Sequence, residues 1–357
     1  MDKLTVENRT KKEKSLQAVL NNIVDGKKVF GASFSIKKDN MVWLGSSGNM
    51  STDQPYFIAS TTKLFTTAII LKLKAEGKID PEDKINKYLD KSIVDGLHVY
   101  KGTEYSEQIT IKDLLSHTSG LPDYFQGKEL NGKSLEDVLK KGNDQFWTFE
   151  EAISRSKKMK PHFIVRKKSK ANYSDTNFQL LGKIIEVITD KSYAQNCQDY
   201  IIKPLNLTQT YLYSDYKDKT PKPLYYKSNE LNIPKAMTSF GPDGGIVSTS
   251  NEMLIFIESF FTGKLFPSSY LNELQVWNKI FFPMRSGIGI HLFKLPWIFN
   301  PTGAMPYFIG HSGLSGALAY YSPKENIYVA GTVNQVAHPD ISFKTMMKLA
   351  HIVMKKE

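Results

Sequence analysis

Cysteine is almost missing from this chain. Its 357 residues include a single one, Cys197, so no internal disulfide can staple the fold and stability must come from packing. Cys197 ends the run Tyr193–Cys197 on an expected helix with no histidine beside it, which reads as a buried structural thiol. Long apolar runs are missing too. The stretch Ala68–Leu71 stops at Lys72, far short of the roughly 18 residues a spanning helix requires. The opening MDKLTVENRTKKEKSLQ lacks the apolar core of a secretory signal, so the expectation is either a cytoplasmic chain or the mature form of an exported one. The seven histidines and one cysteine show no metal-ligand spacing, and no metal is expected. The glycine-rich segment Ser239–Ser250 lacks the lysine of a phosphate-binding Walker loop, and no cofactor is expected. Acids are absent between Arg155 and Lys170, where Arg155, Lys157, Lys158, Lys160, Arg166, Lys167, Lys168 and Lys170 crowd together. That run reads first as a solvated loop face and second as a flank that draws anionic substrates toward a cleft.

What is present is a globular composition, 41% hydrophobic and 23% charged, long enough for one large or two ordinary domains. The net charge of +11 favours anionic surroundings such as envelope polymers, lipid headgroups or acidic substrates. No nucleic-acid recognition motif accompanies it, and nucleic acid is not an expected partner. Apolar spacing predicts an N-terminal amphipathic helix over Ser15–Ile23, a hairpin of strands Val29–Ile36 and Met41–Gly48 turning at Lys38–Asn40, and a short helix started by Asp80–Asp83. Strands are expected at Gly287–Phe293, Tyr307–Gly310, Gly316–Ser322 and Ile327–Val333, with a last helix over Ser342–Met354.

The segment that organises the chain is Phe57–Gly77. Leu64, Ala68, Leu71 and Ala75 recur at helical steps, Ser60 falls at the start, and Lys63 lies one turn along on the same face. A serine at a helix start is ordinarily an N-cap. The lysine changes the reading, because burial and the positive helix end should push its pKa down and make it a base for the neighbouring hydroxyl. Ser-x-x-Lys opening a buried helix, within FIASTTKLFTTAIILKLKAEGKIDPEDKINKYLD, resembles the nucleophile motif of the serine β-lactamases and penicillin-binding proteins, in their class C-type branch. That branch includes D,D-peptidases, D-aminopeptidases and carboxylesterases.

Three further segments resemble the same branch in the same order. Ile109–Tyr124 contains LLSHTSGLP, in which Thr110 caps a helix expected to stop at Gly120, and His117 is read as holding a loop near the site rather than as a catalytic group or metal ligand. Tyr173-Ser174-Asp175 corresponds to the family's Tyr-x-Asn and precedes a helix over Phe178–Ile188. Asp175 stands where the lactamases carry asparagine. A carboxylate only accepts hydrogen bonds, and beside Lys63 it would keep that lysine protonated and move base duty to Tyr173. His311-Ser312-Gly313 corresponds to Lys-Thr-Gly or His-x-Gly on a strand lining the cleft. Ser239–Ser250 is similar to the family's glycine-rich GGIVST element, before a helix over Glu252–Phe261.

The resemblance implies an α/β fold of the β-lactamase/transpeptidase type: an antiparallel sheet flanked by helices (residues 1–80 and 236–357) plus a largely helical domain (81–235) carrying the Tyr-Ser-Asp loop. It also implies Ser60, Lys63 and Tyr173 as catalytic residues, the N–H groups of Ser60 and Leu314 as an oxyanion hole, and Asp175, His311, Ser312 and Gly313 as substrate-binding. Histidine at 311 is mostly neutral at pH 7, so a substrate carboxylate would need another cation, for which His291 or Lys294 is available. The expected function is that of a serine hydrolase working through an acyl-enzyme on small esters or D-amino-acyl peptides, with cell-wall material among the expected sources and an anionic envelope polymer as a candidate partner. The alternatives are a class C-like β-lactamase or penicillin-binding D,D-carboxypeptidase, and a catalytically silent homologue that binds envelope peptides or polymers.

Overall fold

The structure is a computed structural model that describes residues 3–129 and 132–355. Its frame is an eight-stranded, fully antiparallel sheet. From one edge the strands run Asn278–Lys279, Met284–Ser286, His291–Phe293, Phe308–Ser312, Ala317–Ser322, Ile327–Thr332, Gly31–Lys38 and Met41–Gly48. Chain ends meet in its middle: Ser33 pairs with Thr332 and Lys38 with Ile327. Side chains alternate across this sheet as the two-residue period demands. Leu318 and Tyr320 face one cluster with Leu16, Leu20, Met346 and Leu349, while Ala317 and Ala319 face another with Phe65, Ile69 and Phe256. Terminal helices Lys3–Ile23 and Asp340–Met354 therefore cover one face, and helices Lys63–Ala75 and Ser250–Phe261 cover the other. Phe65 and Phe256 stack at 3.9 Å between centroids, both fully buried. Burial of each ring contributes on the order of 1.5–3 kcal/mol.

The sheet has eight strands, more than the expected hairpin and four further strands. The expected single strand over Gly287–Phe293 is half of a tight hairpin, because Gly287 N–H bonds back to Ile290 and Ser286 pairs with His291. Asp80–Asp83 forms turns ahead of a 3-10 turn at Ile85–Lys87 rather than an α-helix. Asp80 and Asp83 carboxylates there accept backbone N–H bonds, which competes with a helix. The helix expected to run to Gly120 ends at Leu115, and His117 adopts the left-handed conformation beyond it. Its start is as expected, with Thr110 and Asp113 forming a reciprocal capping box.

A second, three-stranded sheet sets Tyr56–Phe57 and Tyr211–Leu212 on either side of Ile246–Ser248. It ties the start of the Ser60 segment to the glycine-rich segment. Among the described residues no helix is long and apolar enough to cross a membrane.

Candidate active site

Ser60 lies in a 3-10 turn, Ala59–Thr62, that runs directly into the helix Lys63–Ala75. The turn is pinned from three sides. Ile58 N–H donates to the Ile246 carbonyl at 3.0 Å, Ile246 N–H to Thr62 Oγ1 at 3.2 Å, and Ser315 Oγ to the Phe57 carbonyl at 2.8 Å. Ala59 is held at φ 46°, a left-handed conformation that costs a residue bearing a Cβ. Ser60 does not act as a cap: neither the 3-10 turn nor the helix has a side-chain cap bond.

Instead its Oγ accepts two hydrogen bonds, from Tyr173 OH at 2.6 Å and from Lys63 Nζ at 3.1 Å. Lys63 is wholly buried and donates also to Asp175 Oδ1 at 2.5 Å and to the Asp243 carbonyl at 2.6 Å. Three acceptors match the three donors of an ammonium. Burial pushes the Lys63 pKa down, as the sequence reading expects, but the Asp175 carboxylate and then Tyr173 outweigh it, and the pKa rises. That corrects the expectation of a depressed lysine and agrees with the consequence drawn for a carboxylate at 175. Burial pushes the Tyr173 phenol upward, Asp175 adds to this, and Lys63 only partly offsets it. At rest the site therefore holds an ammonium, a neutral phenol and a serine hydroxyl.

The Tyr173 loop is set by His117. Its Nδ1 accepts from Ser174 N–H at 3.2 Å and faces Asn177 Nδ2 at 3.1 Å, while its carbonyl accepts from Asn172 N–H at 2.9 Å. Burial holds His117 neutral, which leaves Nδ1 free to accept. The loop-holding reading thus matches its position.

His311 lies beside the candidate catalytic group but does not line the cavity. Ser312, Gly313, Leu314 and Ser315 line the cavity beside Ser60, whereas His311 is not among the lining residues: it is buried behind Tyr173, stacked on His291 at 4.1 Å and with its ring 6.4 Å from that of Tyr173. Burial and the neighbouring His291 keep His311 neutral; burial and Lys63 bring His291 down to about 3. His291 is accordingly no replacement cation, and Lys294 is exposed and not among the lining residues. Gly313 is required sterically: a Cβ there would lie 2.5 Å from the Ile58 carbonyl oxygen and 3.1 Å from Ser60 N. The backbone N–H groups of Ser60 and Leu314 have no protein acceptor among the described residues.

Several residues here escaped the sequence reading. Asp243 carboxyl accepts from Tyr124 OH at 2.8 Å and Gln179 Nε2 at 3.0 Å, and Asp123 accepts from Phe125 N–H at 2.8 Å. Burial, followed by the Asp175 charge, pushes both carboxyls well above the usual range. Only Asp243's place between paired glycines hinted at proximity. The cavity itself measures about 340 Å³. Ser60, Tyr173 and Asp175 stand at one side, and Phe125, Leu139, Ile233, Met237 and Phe240 form an apolar wall. Among the described residues no cluster of side chains is arranged to hold a metal.

A serine, a lysine and a tyrosine sharing one proton network beside two free N–H donors make a constellation suited to acyl transfer. The chain belongs to the beta-lactamase family, whose model matches residues 12–345. It is 29% identical over 234 residues to the teichoic acid D-alanine hydrolase of Staphylococcus aureus, covering 64% of this chain and 51% of that protein. The chain spans about half the length of the curated relatives it matches. Among solved structures, a D-stereospecific amidohydrolase from Streptomyces sp. superposes with a TM-score of 0.75 at 26% identity, covering 91% of this chain and 95% of that one. The D-amino acid amidase of Ochrobactrum anthropi SV3, in complex with L-phenylalanine amide, gives 0.77 at 19% identity over 96% and 98% of the two chains, a likeness of fold.

Proposed function

We propose that this protein is a serine hydrolase that acts through an acyl-enzyme on Ser60, with esters or D-amino-acyl amides as substrates. The observation that carries this is Ser60 Oγ, 2.6 Å from the Tyr173 phenol and 3.1 Å from the Lys63 amine, on the wall of an open cavity. In the reactive form the Lys63–Tyr173 pair has lost one proton. It takes the Ser60 proton as Oγ attacks the substrate carbonyl, and the oxyanion is received by the Ser60 and Leu314 N–H groups. The pair then passes that proton to the departing alcohol or amine, and water reverses the sequence to release the acid. The cleft in this reading lies between the sheet domain (1–80 and 236–357) and the 81–235 segment, each of which contributes lining residues.

The cavity favours a substrate that brings no carboxylate. Its wall is mainly apolar, and among its lining residues the only cation is Lys140, which is paired with Glu136 at 2.7 Å. With His311 neutral, a substrate carboxylate finds no free fixed charge, which places esters and D-amino-acyl amides ahead of β-lactams. The test is incubation with a fluorophosphonate followed by intact mass. One adduct is expected on wild type and on Ser116→Ala, and none on Ser60→Ala. An adduct retained in Ser60→Ala overturns the assignment.

A further inference from the structure

Two stretches of the chain contain no acid at all: the residues between Glu151 and Asp175, and those between Glu273 and Glu325. The fold brings them together. Lys170 bridges to Lys279, Ala171 N–H donates to the Lys279 carbonyl at 2.9 Å, and Lys279 pairs with Arg285 in the edge strands of the large sheet. Lys167, Lys168, Lys170, Lys279, Arg285 and Lys294 are all exposed, and none takes part in an ion pair among the described residues, whereas neighbouring Arg166 is paired with Asp113 at 2.6 Å.

The same edge carries a bulky apolar tip. Met284 pairs with Phe293, so segments 281–283 and 294–299 leave the hairpin from the same end. Phe282, Trp297, Ile298 and Phe299 are 67–78% exposed. Scattered apolar residues on a surface need no account, but four large ones on segments leaving one end of a hairpin, at a sheet edge that also carries unpaired cations, do. The tip is also next to the cleft: Phe281 lines the cavity and packs edge-on against Tyr173 at 6.3 Å.

We propose that this edge is a peripheral docking surface for an anionic lipid bilayer, with Phe282, Trp297, Ile298 and Phe299 entering the interface and the surrounding lysines and arginine meeting the headgroups. Charge complementarity alone would equally suit a soluble polyanion. The apolar tip decides between them, because a polyanion offers it no hydrocarbon, while tryptophan and phenylalanine partition into the headgroup boundary. Each cation held near an anionic surface multiplies affinity by about fivefold, an effect that salt weakens. Docked in this way, the protein would present the mouth of its cleft to the membrane surface.

The test is co-sedimentation of the full chain with phosphatidylcholine vesicles, with and without phosphatidylglycerol. Binding is expected only with phosphatidylglycerol, and to fall as salt rises. The Phe282→Ser/Trp297→Ser/Phe299→Ser variant should lose about tenfold or more in partitioning. Lys167→Glu/Lys168→Glu should lose affinity and flatten the salt dependence. Both variants should keep the wild-type melting temperature, which shows folding without reference to the hydrolase assignment. If the triple variant is itself unstable, quenching of wild-type tryptophan emission by brominated lipid, absent in Trp297→Phe, reads insertion directly. No sedimentation of wild type at low salt overturns the proposal, as does undiminished binding by a folded triple variant. Equal capture by soluble polyphosphate, independent of the apolar residues, also overturns it in favour of a polyanion site.

Discussion

Lys63 Nζ and Asp175 Oδ1 form a 2.5 Å ion pair in which the amine has no solvent access. In the proposed reaction this pair holds the proton that must move. The reactive form needs the Lys63–Tyr173 pair to lose one proton, and both groups are raised, so kcat/KM should climb with pH from neutrality into the alkaline range. Asp175→Asn removes the charge that retains the proton, and the rising limb should move to lower pH. A limb that stays in place would show that Asp175 does not set the resting state.

The same substitution has a stability consequence with a defined sign. Lys63 has a folded pKa above its ordinary 10.5, so its pairing stabilises fully below that value and is lost as pH rises through the folded pKa. Loss of Asp175 should therefore destabilise at neutral pH, by on the order of 3–5 kcal/mol if Lys63 stays charged. The deficit should shrink in alkali as the amine sheds its proton. Denaturant unfolding of both proteins at neutral and alkaline pH measures this.

Tyr173→Phe removes one hydrogen bond to Ser60 Oγ and half of the proton path. Ester kcat/KM should fall by about a hundredfold to ten-thousandfold, mostly in kcat. A loss confined to KM would assign the phenol to substrate binding.

Gly313→Ala forces the His-Ser-Gly strand and the Ser60 turn apart, because the new Cβ would meet backbone at 2.5 Å. Overpacking of this kind costs about 1–3 kcal/mol. The fluorophosphonate labelling rate should drop further than the melting temperature implies, since Ser60 N and Leu314 N move relative to each other. Wild-type labelling speed would remove Gly313 from the argument.

His311→Lys should not create a carboxylate-binding site. The side chain would lie buried against His291 and near the Lys63 charge, at a position that does not line the cavity. A lower melting temperature is expected, with no gain in nitrocefin over ester hydrolysis. A gain would mean that the lysine reaches the cleft.

Much of the site was legible because its parts are local in sequence. Ser60 and Lys63 are one helical turn apart, and Thr110 with Asp113 spells its own capping box. Tyr173 needed the order of motifs, since nothing in Asn172–Asp175 by itself says which serine the phenol meets. What stayed hidden depends on burial. A lysine pKa is set by a carboxylate 112 positions away, and no spacing rule reports that distance. That His311 would be buried between His291 and Tyr173 was likewise not legible, because its neighbours come from segments far away in the chain. The Gly287–Phe293 segment failed because the apolar residues of a tight turn, Ile288 and Ile290, read as one run with the strand His291–Phe293 that follows.

The residue before Ser60 is an alanine wound in the left-handed sense, kept there by the two sheets that grip its neighbours. That tension belongs to the sheets rather than to the helix that follows. Mild denaturant that loosens only the small Tyr56–Phe57/Ile246–Ser248 ladder would let the turn relax while the main core stays intact. Ester turnover should then fade at concentrations where far-ultraviolet ellipticity is still that of the native protein, so that chemistry reports on the ladder and ellipticity on the fold.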